Sequence, residues 1–191
     1  MGQRNVLPEG TRDLILNECI VKKQLERDID ELFNKWGYKE VITPTVEYYE
    51  TFNHNSNTLR EEDMYKFFDN KGRILVLRPD MTVPIARVVE TKLKDTDLPI
   101  KLRYNSNIFR VHKSLGGKRN EYTDIGVELI GLSEKESDLE ILVLALEGLK
   151  KLGLKDFKLE IGNIGFFNGA FVNTDTVSYT HLRAHETTLH L

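Results

Sequence analysis

Ile100-Lys101-Leu102-Arg103-Tyr104-Asn105-Ser106-Asn107-Ile108-Phe109-Arg110 and Tyr122-Thr123-Asp124-Ile125-Gly126-Val127-Glu128-Leu129-Ile130 are the runs that decide how this chain folds. Each has strand length and alternating character, and both are bounded by turn-forming sequence. Between them, His112-Lys113-Ser114-Leu115-Gly116-Gly117-Lys118-Arg119 predicts a flexible basic loop. Alternation along the second run places Asp124 and Glu128, four residues apart, on the same face of their strand.

Upstream, Tyr65–Phe68 and Arg73–Leu77 flank Asp69-Asn70-Lys71-Gly72, which predicts a hairpin turn. Val83 to Leu93, following Pro79, reads as a helix. From Leu14 to Trp36, apolar residues at Val21, Leu25, Ile29, Leu32, Phe33 and Trp36 form one helical stripe, and Gly37 supplies the stop. Glu40-Val41-Ile42-Thr43-Pro44 then predicts a short strand that Pro44 ends or places on an edge.

Downstream, Ser133 with Glu136 reads as a capping box, opening a helix over Ser137–Leu152. Its expected buried stripe is Leu139, Leu142, Val143, Leu146, Leu149 and Leu152, with Gly153 as the stop. Phe157 to Ile161 predicts a further strand. Hairpins and helices are interspersed without strict strand–helix alternation, so the fold class is α+β: a mixed, mainly antiparallel sheet flanked by helices.

The domain is expected over residues 1–172. After that the periodicity fails, and residues 173–191 read as a non-native or disordered tail. The stretch from Val177 to Thr187 resembles translated read-through of a sequencing adapter. His181 and His185 are four apart, as helix-borne ligands are, but lack a third ligand, and no metal site is expected there.

At 191 residues the chain is long enough to bury about 70% of its unfolded surface, so a real core is expected. Its net charge of −3 argues against a protein held to nucleic acid mainly by basic excess. Cys19, the single cysteine, cannot form an intrachain disulfide and reads as a buried thiol on a helix face. No secretion signal opens the chain, no apolar run approaches the roughly 18 residues a membrane span needs, and the expected compartment is the cytosol.

Two segments carry candidate chemistry. Leu77-Arg78-Pro79-Asp80-Met81-Thr82 closes the hairpin, and Asp124-Ile125-Gly126-Val127-Glu128 lies in the later strand. If Asp80, Asp124 and Glu128 converge, they make a site for a small cation such as an amino group or an imidazolium. Arg110, with Lys113, Lys118 and Arg119 in the loop, offers charges suited to phosphate. A purely structural reading stands beside this one: Asp80 caps the following helix, Glu128 is solvated and the loop is a charged turn.

Taken in order, four segments resemble the class II aminoacyl-tRNA synthetase core, specifically the histidyl-tRNA synthetase lineage, from about Leu7 to Phe171. They are Leu7-Pro8-Glu9-Gly10-Thr11-Arg12-Asp13, the stretch from Gly37 to Glu47, Leu77 to Thr82, and the strand–loop–strand from Asn107 to Gly131. The resemblance implies that Pro44 bends a strand at a dimer interface. It further implies that Arg110 matches an ATP-binding arginine, and that Asp80, Thr82, Asp124 and Glu128 match positions that hold histidine.

The departures point away from catalysis. Met81 stands where synthetases carry glycine, His112 where they carry a glutamate, and Asp124 where they carry a glutamine. Pro79-Asp80-Met81-Thr82 and the opening segment are instead similar to the synthetase paralogues that regulate ATP phosphoribosyltransferase. That likeness implies a regulatory subunit of histidine biosynthesis, with no catalytic residues and no cofactor. Its partners would be the short-form catalytic subunit and a second copy of itself, with histidine as effector and without tRNA. The alternative is histidine–tRNA ligase.

Overall fold

The structure, a computed structural model, describes residues 6–53, 59–112 and 116–162. They divide into a main unit ending at Lys155 and a second unit beginning at Asp156. The main unit runs α1 (Asn17–Lys35), β1 (Lys39–Glu40), β2 (Val46–Tyr48), α2 (Tyr49–Asn53) and a 3-10 turn (Glu61–Asp63). It continues with β3 (Lys66–Phe68), β4 (Ile74–Leu77), α3 (Thr82–Lys92), β5 (Ile100–Phe109), β6 (Glu121–Ile130) and α4 (Lys135–Lys151).

Two three-stranded sheets result. In the first, in the order β1-β5-β6, β1 runs parallel to β5, and β5 and β6 pair antiparallel over ten rungs from Ile100↔Ile130 to Phe109↔Glu121. In the second, in the order β2-β4-β3, every pairing is antiparallel. This is the expected mixed, mainly antiparallel α+β core. The β3–β4 turn is closed by Asp69, whose carboxylate accepts from the Lys71 and Arg73 amides, while Gly72 takes the left-handed conformation at φ 76°. The strand expected over Glu40–Pro44 is corrected: β1 ends at Glu40, Val41 adds a single bond to the Arg103 carbonyl, and the chain then leaves for the second sheet across Pro44, which has no N–H for a ladder.

Because paired residues share a face, the register sorts the long strands into two rows. One face of β6 carries Ile125, Val127 and Leu129 and packs with Ile29, Leu32, Phe33, Tyr38 and Leu144 of the α1/α4 side. The other carries Tyr122, Asp124, Gly126, Glu128 and Ile130. There Tyr122 and Ile130 join a core of Met81, Ile85, Ile100, Leu102 and Ile108. A third cluster, Phe52, Met64 and Val76, seats α2 on the second sheet.

Three expectations about helices are corrected. The α1 stripe is buried only in its C-terminal half, since the sheet lies under Ile29, Leu32 and Phe33 while Val21 and Leu25 project beyond it. The capping box at Ser133 and Glu136 does not form. Glu134 occupies the N-cap position without a side-chain cap bond, and the Ser137 hydroxyl donates back to the Glu134 carbonyl at 2.6 Å.

The buried ridge of α4 is Ile141, Leu144, Gly148 and Leu152, so the helix is rotated from the expected stripe and Leu139 stands exposed. Apolar residues nearly encircle α4, and Gly148 selects the face: a β-carbon there would lie 3.5 Å from Ile29 and 3.8 Å from Leu32. Cys19 is half-buried rather than buried, its thiol donating to the Leu14 carbonyl at 3.0 Å.

In the second unit, Phe157–Ile161 forms no strand, and among the described residues no strand supplies it with ladder bonds. The expected tail at 173–191 and Lys113 of the basic loop lie outside the described residues. Among the described residues, no helix is long and apolar enough to cross a membrane.

Candidate functional site

On the α3 side of β6 the apolar row is interrupted. Between Tyr122 and Ile130 come Asp124, Gly126 and Glu128, two carboxylates flanking a residue without a side chain. The turn from β4 into α3 delivers Asp80 and Thr82 to the same place. Arg78 fixes that turn: its side chain donates to the Asn107 and Thr43 carbonyls at 2.8 and 2.7 Å. Its backbone joins the Phe109 amide on one side and the Thr45 carbonyl on the other. A buried arginine spent on carbonyls is thus a brace between the two sheets rather than a ligand for the carboxylates.

The structure brings Asp80, Thr82, Asp124 and Glu128 together. The Thr82 hydroxyl donates to Glu128 at 2.8 Å, and the Tyr104 hydroxyl lies 3.4 Å from Asp124. Asp80 accepts from the Val83 amide at 3.1 Å, so it also does the helix-capping work that a structural reading assigns it. Arg110 approaches the group, but its Nε donates to the Pro79 carbonyl at 2.8 Å. Among the described residues, no lysine, arginine or histidine forms an ion pair with Asp80, Asp124 or Glu128.

All three carboxyls are therefore pushed above their ordinary values. Burial is the main cause for Asp80, outweighing the Val83 amide and the charge of Arg110. Burial also dominates at Asp124, opposed by Arg110 and the Tyr104 hydroxyl and reinforced by Asp80. At Glu128 burial is again largest, eased by Thr82 and increased by Asp80 and Asp124. Arg110 offsets only part of this at Asp80 and Asp124, so the negative charges still repel one another, and a positively charged ligand relieves all three at once. Among the described residues, no group of three or more His, Cys, Asp or Glu side chains forms an arrangement able to hold a metal ion.

Two sequence departures look different in three dimensions. Met81 is fully buried in the core with Ile85 and Ile108, and its backbone is ordinary right-handed helical. It fills the layer beneath α3 and places no strain on the chain. His112 is held toward its neutral form, chiefly by burial and then by Lys118. A neutral imidazole keeps one acceptor nitrogen, so what is lost relative to a glutamate is charge. Pro44 and Ile42 are exposed on the segment between the sheets.

Two residues of this region have weak sequence signals. Tyr104 is paired with Gly126, and a glycine inside a strand marks close approach of another group. Asn120 is buried, and each of its four polar atoms is bonded. It receives the Arg110 and His112 amides and donates to the Gly10 and Glu9 carbonyls. A β-carbon at Gly10, whose φ is 75°, would meet the Asn120 side chain at 2.6 Å. The opening segment is thereby bolted to the start of β6 and the end of β5.

Set beside known proteins, the chain matches the family model described as histidyl-tRNA synthetase over residues 10–185. The chain belongs to the histidyl-tRNA synthetase family. Within it, the chain is 48% identical over 162 residues to an ATP phosphoribosyltransferase regulatory subunit of Ruminiclostridium cellulolyticum, covering 85% of this chain and 39% of that protein. The regulatory subunit of Acetivibrio thermocellus is 47% identical over 167 residues, covering 87% and 40%.

A Bacillus halodurans crystal structure described as an ATP phosphoribosyltransferase regulatory subunit/histidyl-tRNA synthetase superposes with a TM-score of 0.80 at 41% identity, over 86% of this chain and 42% of that one. Apo histidyl-tRNA synthetase of S. aureus gives 0.66 at 30%, over 78% and 35%. The chain spans about two fifths of the length of the regulatory subunits it matches.

Proposed function

We propose that this chain is the synthetase-like portion of a regulatory, non-catalytic subunit of ATP phosphoribosyltransferase, and that Asp80, Thr82, Asp124 and Glu128 hold histidine as its effector. The observation that carries the site is the set of three half-buried carboxylates with no ion-pair partner among the described residues. The amino group and imidazolium of histidine supply the missing charge and several N–H donors, and charge-assisted bonds are roughly twice as strong as neutral ones. The regulatory role is supported by identity: 44–48% to proteins named as regulatory subunits, against 30% to the S. aureus synthetase.

In this reading the partner is a short-form catalytic subunit in the cytosol, and tRNA is not a ligand. Self-association runs through the segment around Pro44, where Ile42 is 81% exposed. Arg110 is a relic of phosphate binding, now bonded to Pro79.

The test uses the full-length protein. Added to a short-form catalytic subunit, it should confer phosphoribosyl transfer that histidine inhibits, and it should support no histidine-dependent exchange of pyrophosphate into ATP. The ligase reading has support in the double description of the B. halodurans structure. Histidine-dependent exchange well above a blank would establish that reading and overturn ours.

A further inference from the structure

Tyr104 sits at the centre of the carboxylate site. It stands directly across the ladder from Gly126, midway between Asp124 and Glu128 in their row. A β-carbon on Gly126 would fall 2.5 Å from the Tyr104 hydroxyl oxygen and 2.7 Å from Cζ. Gly126 is not among the glycines with positive φ, so its backbone conformation does not demand glycine. The close approach of the phenol does. The ring end of Tyr104 thus lies over bare backbone, between Asp124 and Glu128 in their row, and the charge of Asp80 reaches it as well.

A phenol has one proton to donate and oxygen lone pairs to accept with. Here the proton goes toward Asp124, at the long distance of 3.4 Å, and among the described residues nothing donates to the oxygen. Thr82 is similarly committed, its proton given to Glu128. With both protons spent, Tyr104 and Thr82 offer the site acceptor oxygens.

We propose that Tyr104 is a positioning and specificity residue of this site: its phenol, laid over Gly126, orients Asp124 and presents an acceptor oxygen to an N–H of the bound cation. This rests on reading the site as one for an organic cation. It adds a selection rule: ligands carrying free N–H groups are preferred to N-methylated ones.

The test has an arm that needs no ligand. The groups whose charge or hydrogen bonds reach Asp124 are Asp80 just before α3, Tyr104 from β5, Arg110 beyond it, and Tyr122 and Glu128 from β6, while Thr82 bonds Glu128. NMR titration of the side-chain carboxyl carbons should show Tyr104→Phe raising the Asp124 midpoint and leaving Glu128 in place. Thr82→Val should do the reverse. Gly126→Ala, which displaces the phenol, should reproduce the Tyr104→Phe shift if that variant folds. An unmoved Asp124 in Tyr104→Phe overturns the positioning role whether or not histidine binds.

The second arm is calorimetry on the full-length protein with histidine and its two ring-N-methyl isomers. Tyr104→Phe should weaken histidine about 10–100-fold, the worth of one hydrogen bond to a charged group. It should also shrink the preference for histidine over whichever isomer blocks the facing nitrogen. An unchanged preference for both isomers overturns the specificity role. Absence of histidine binding by the wild type overturns it too and fails the proposed effector, while the Asp124 titration still decides whether Tyr104 positions that carboxylate.

Discussion

The two faces of the β1-β5-β6 sheet bury charged groups in opposite ways. Toward α1 and α4, Glu140 receives Lys101 at 2.7 and 2.8 Å and the Tyr38 hydroxyl at 2.7 Å, while Asp30 receives Arg103 at 2.6 and 3.2 Å. Burial pushes Glu140 up, but Lys101 and Tyr38 together outweigh it and hold the carboxyl below its ordinary value. Toward α3, burial acts on Asp80, Asp124 and Glu128 alike and nothing outweighs it. Half-burial is common to both faces, and the difference is a directly paired cation. Where a lysine or arginine bonds the carboxylate, the cluster is structural; where Arg110 is bonded to Pro79 and only partly offsets Asp80 and Asp124, a place is left for something from outside.

The largest expected effect tests the structural face. Leu144 is 1% exposed against Ile29 and Leu32, so Leu144→Ala should cost about 2–5 kcal/mol in urea unfolding. A loss below about 1 kcal/mol would mean that α4 is not seated on that face as described. Next comes Glu140→Gln, which removes the charge paired with Lys101 and leaves one amide oxygen to be shared by Lys101 and Tyr38, and should cost about 1–3 kcal/mol. On the opposite face the sign reverses. Asp124→Asn removes a charge that the ligand-free fold compensates only in part, and should stabilise by about 0.5–1 kcal/mol, as substitutions that trade function for stability commonly do. If Asp124→Asn destabilises as Glu140→Gln does, the two faces are not different in kind.

Acid should separate them as well. A carboxyl whose folded pKa is raised binds its proton more tightly when folded, so the three unpaired groups cost stability at neutral pH and cease to do so as pH falls into the ordinary carboxylate range. The advantage of an Asp124→Asn/Glu128→Gln double variant should therefore be greatest near neutrality and vanish below about pH 4. Glu140 is lowered instead, so its contribution is present above the ordinary carboxylate value and is lost as pH falls through its folded one. Stability curves against pH for the two sets of variants should converge on wild type from opposite sides. Parallel curves would contradict the assignment.

Much of this architecture is legible along the chain, and the misses have physical reasons. Period-two runs place β5 and β6 within a residue of their ends, because register is fixed where one face is buried. The rotation of α4 is not legible, since its apolar residues nearly encircle the helix and only the fit of Gly148 against Ile29 and Leu32 chooses among them. Asp124 and Glu128 share a face by simple counting. That Asp80 and Thr82 reach the same place depends on Arg78 bracing a turn from another sheet, a tertiary fact with no local signature. Tyr104 had a signal in Gly126, but it becomes readable only once the register opposes the two.

The most direct test of the central claim is titration of histidine into the full-length protein and its Glu128→Gln variant, followed by calorimetry at neutral pH. If the unpaired carboxylates are the ligand site, wild type binds and the variant binds about 10–100-fold more weakly, the worth of a hydrogen bond to a charged group. Equal binding by the two proteins would place histidine elsewhere and leave the acidic face without the role assigned to it.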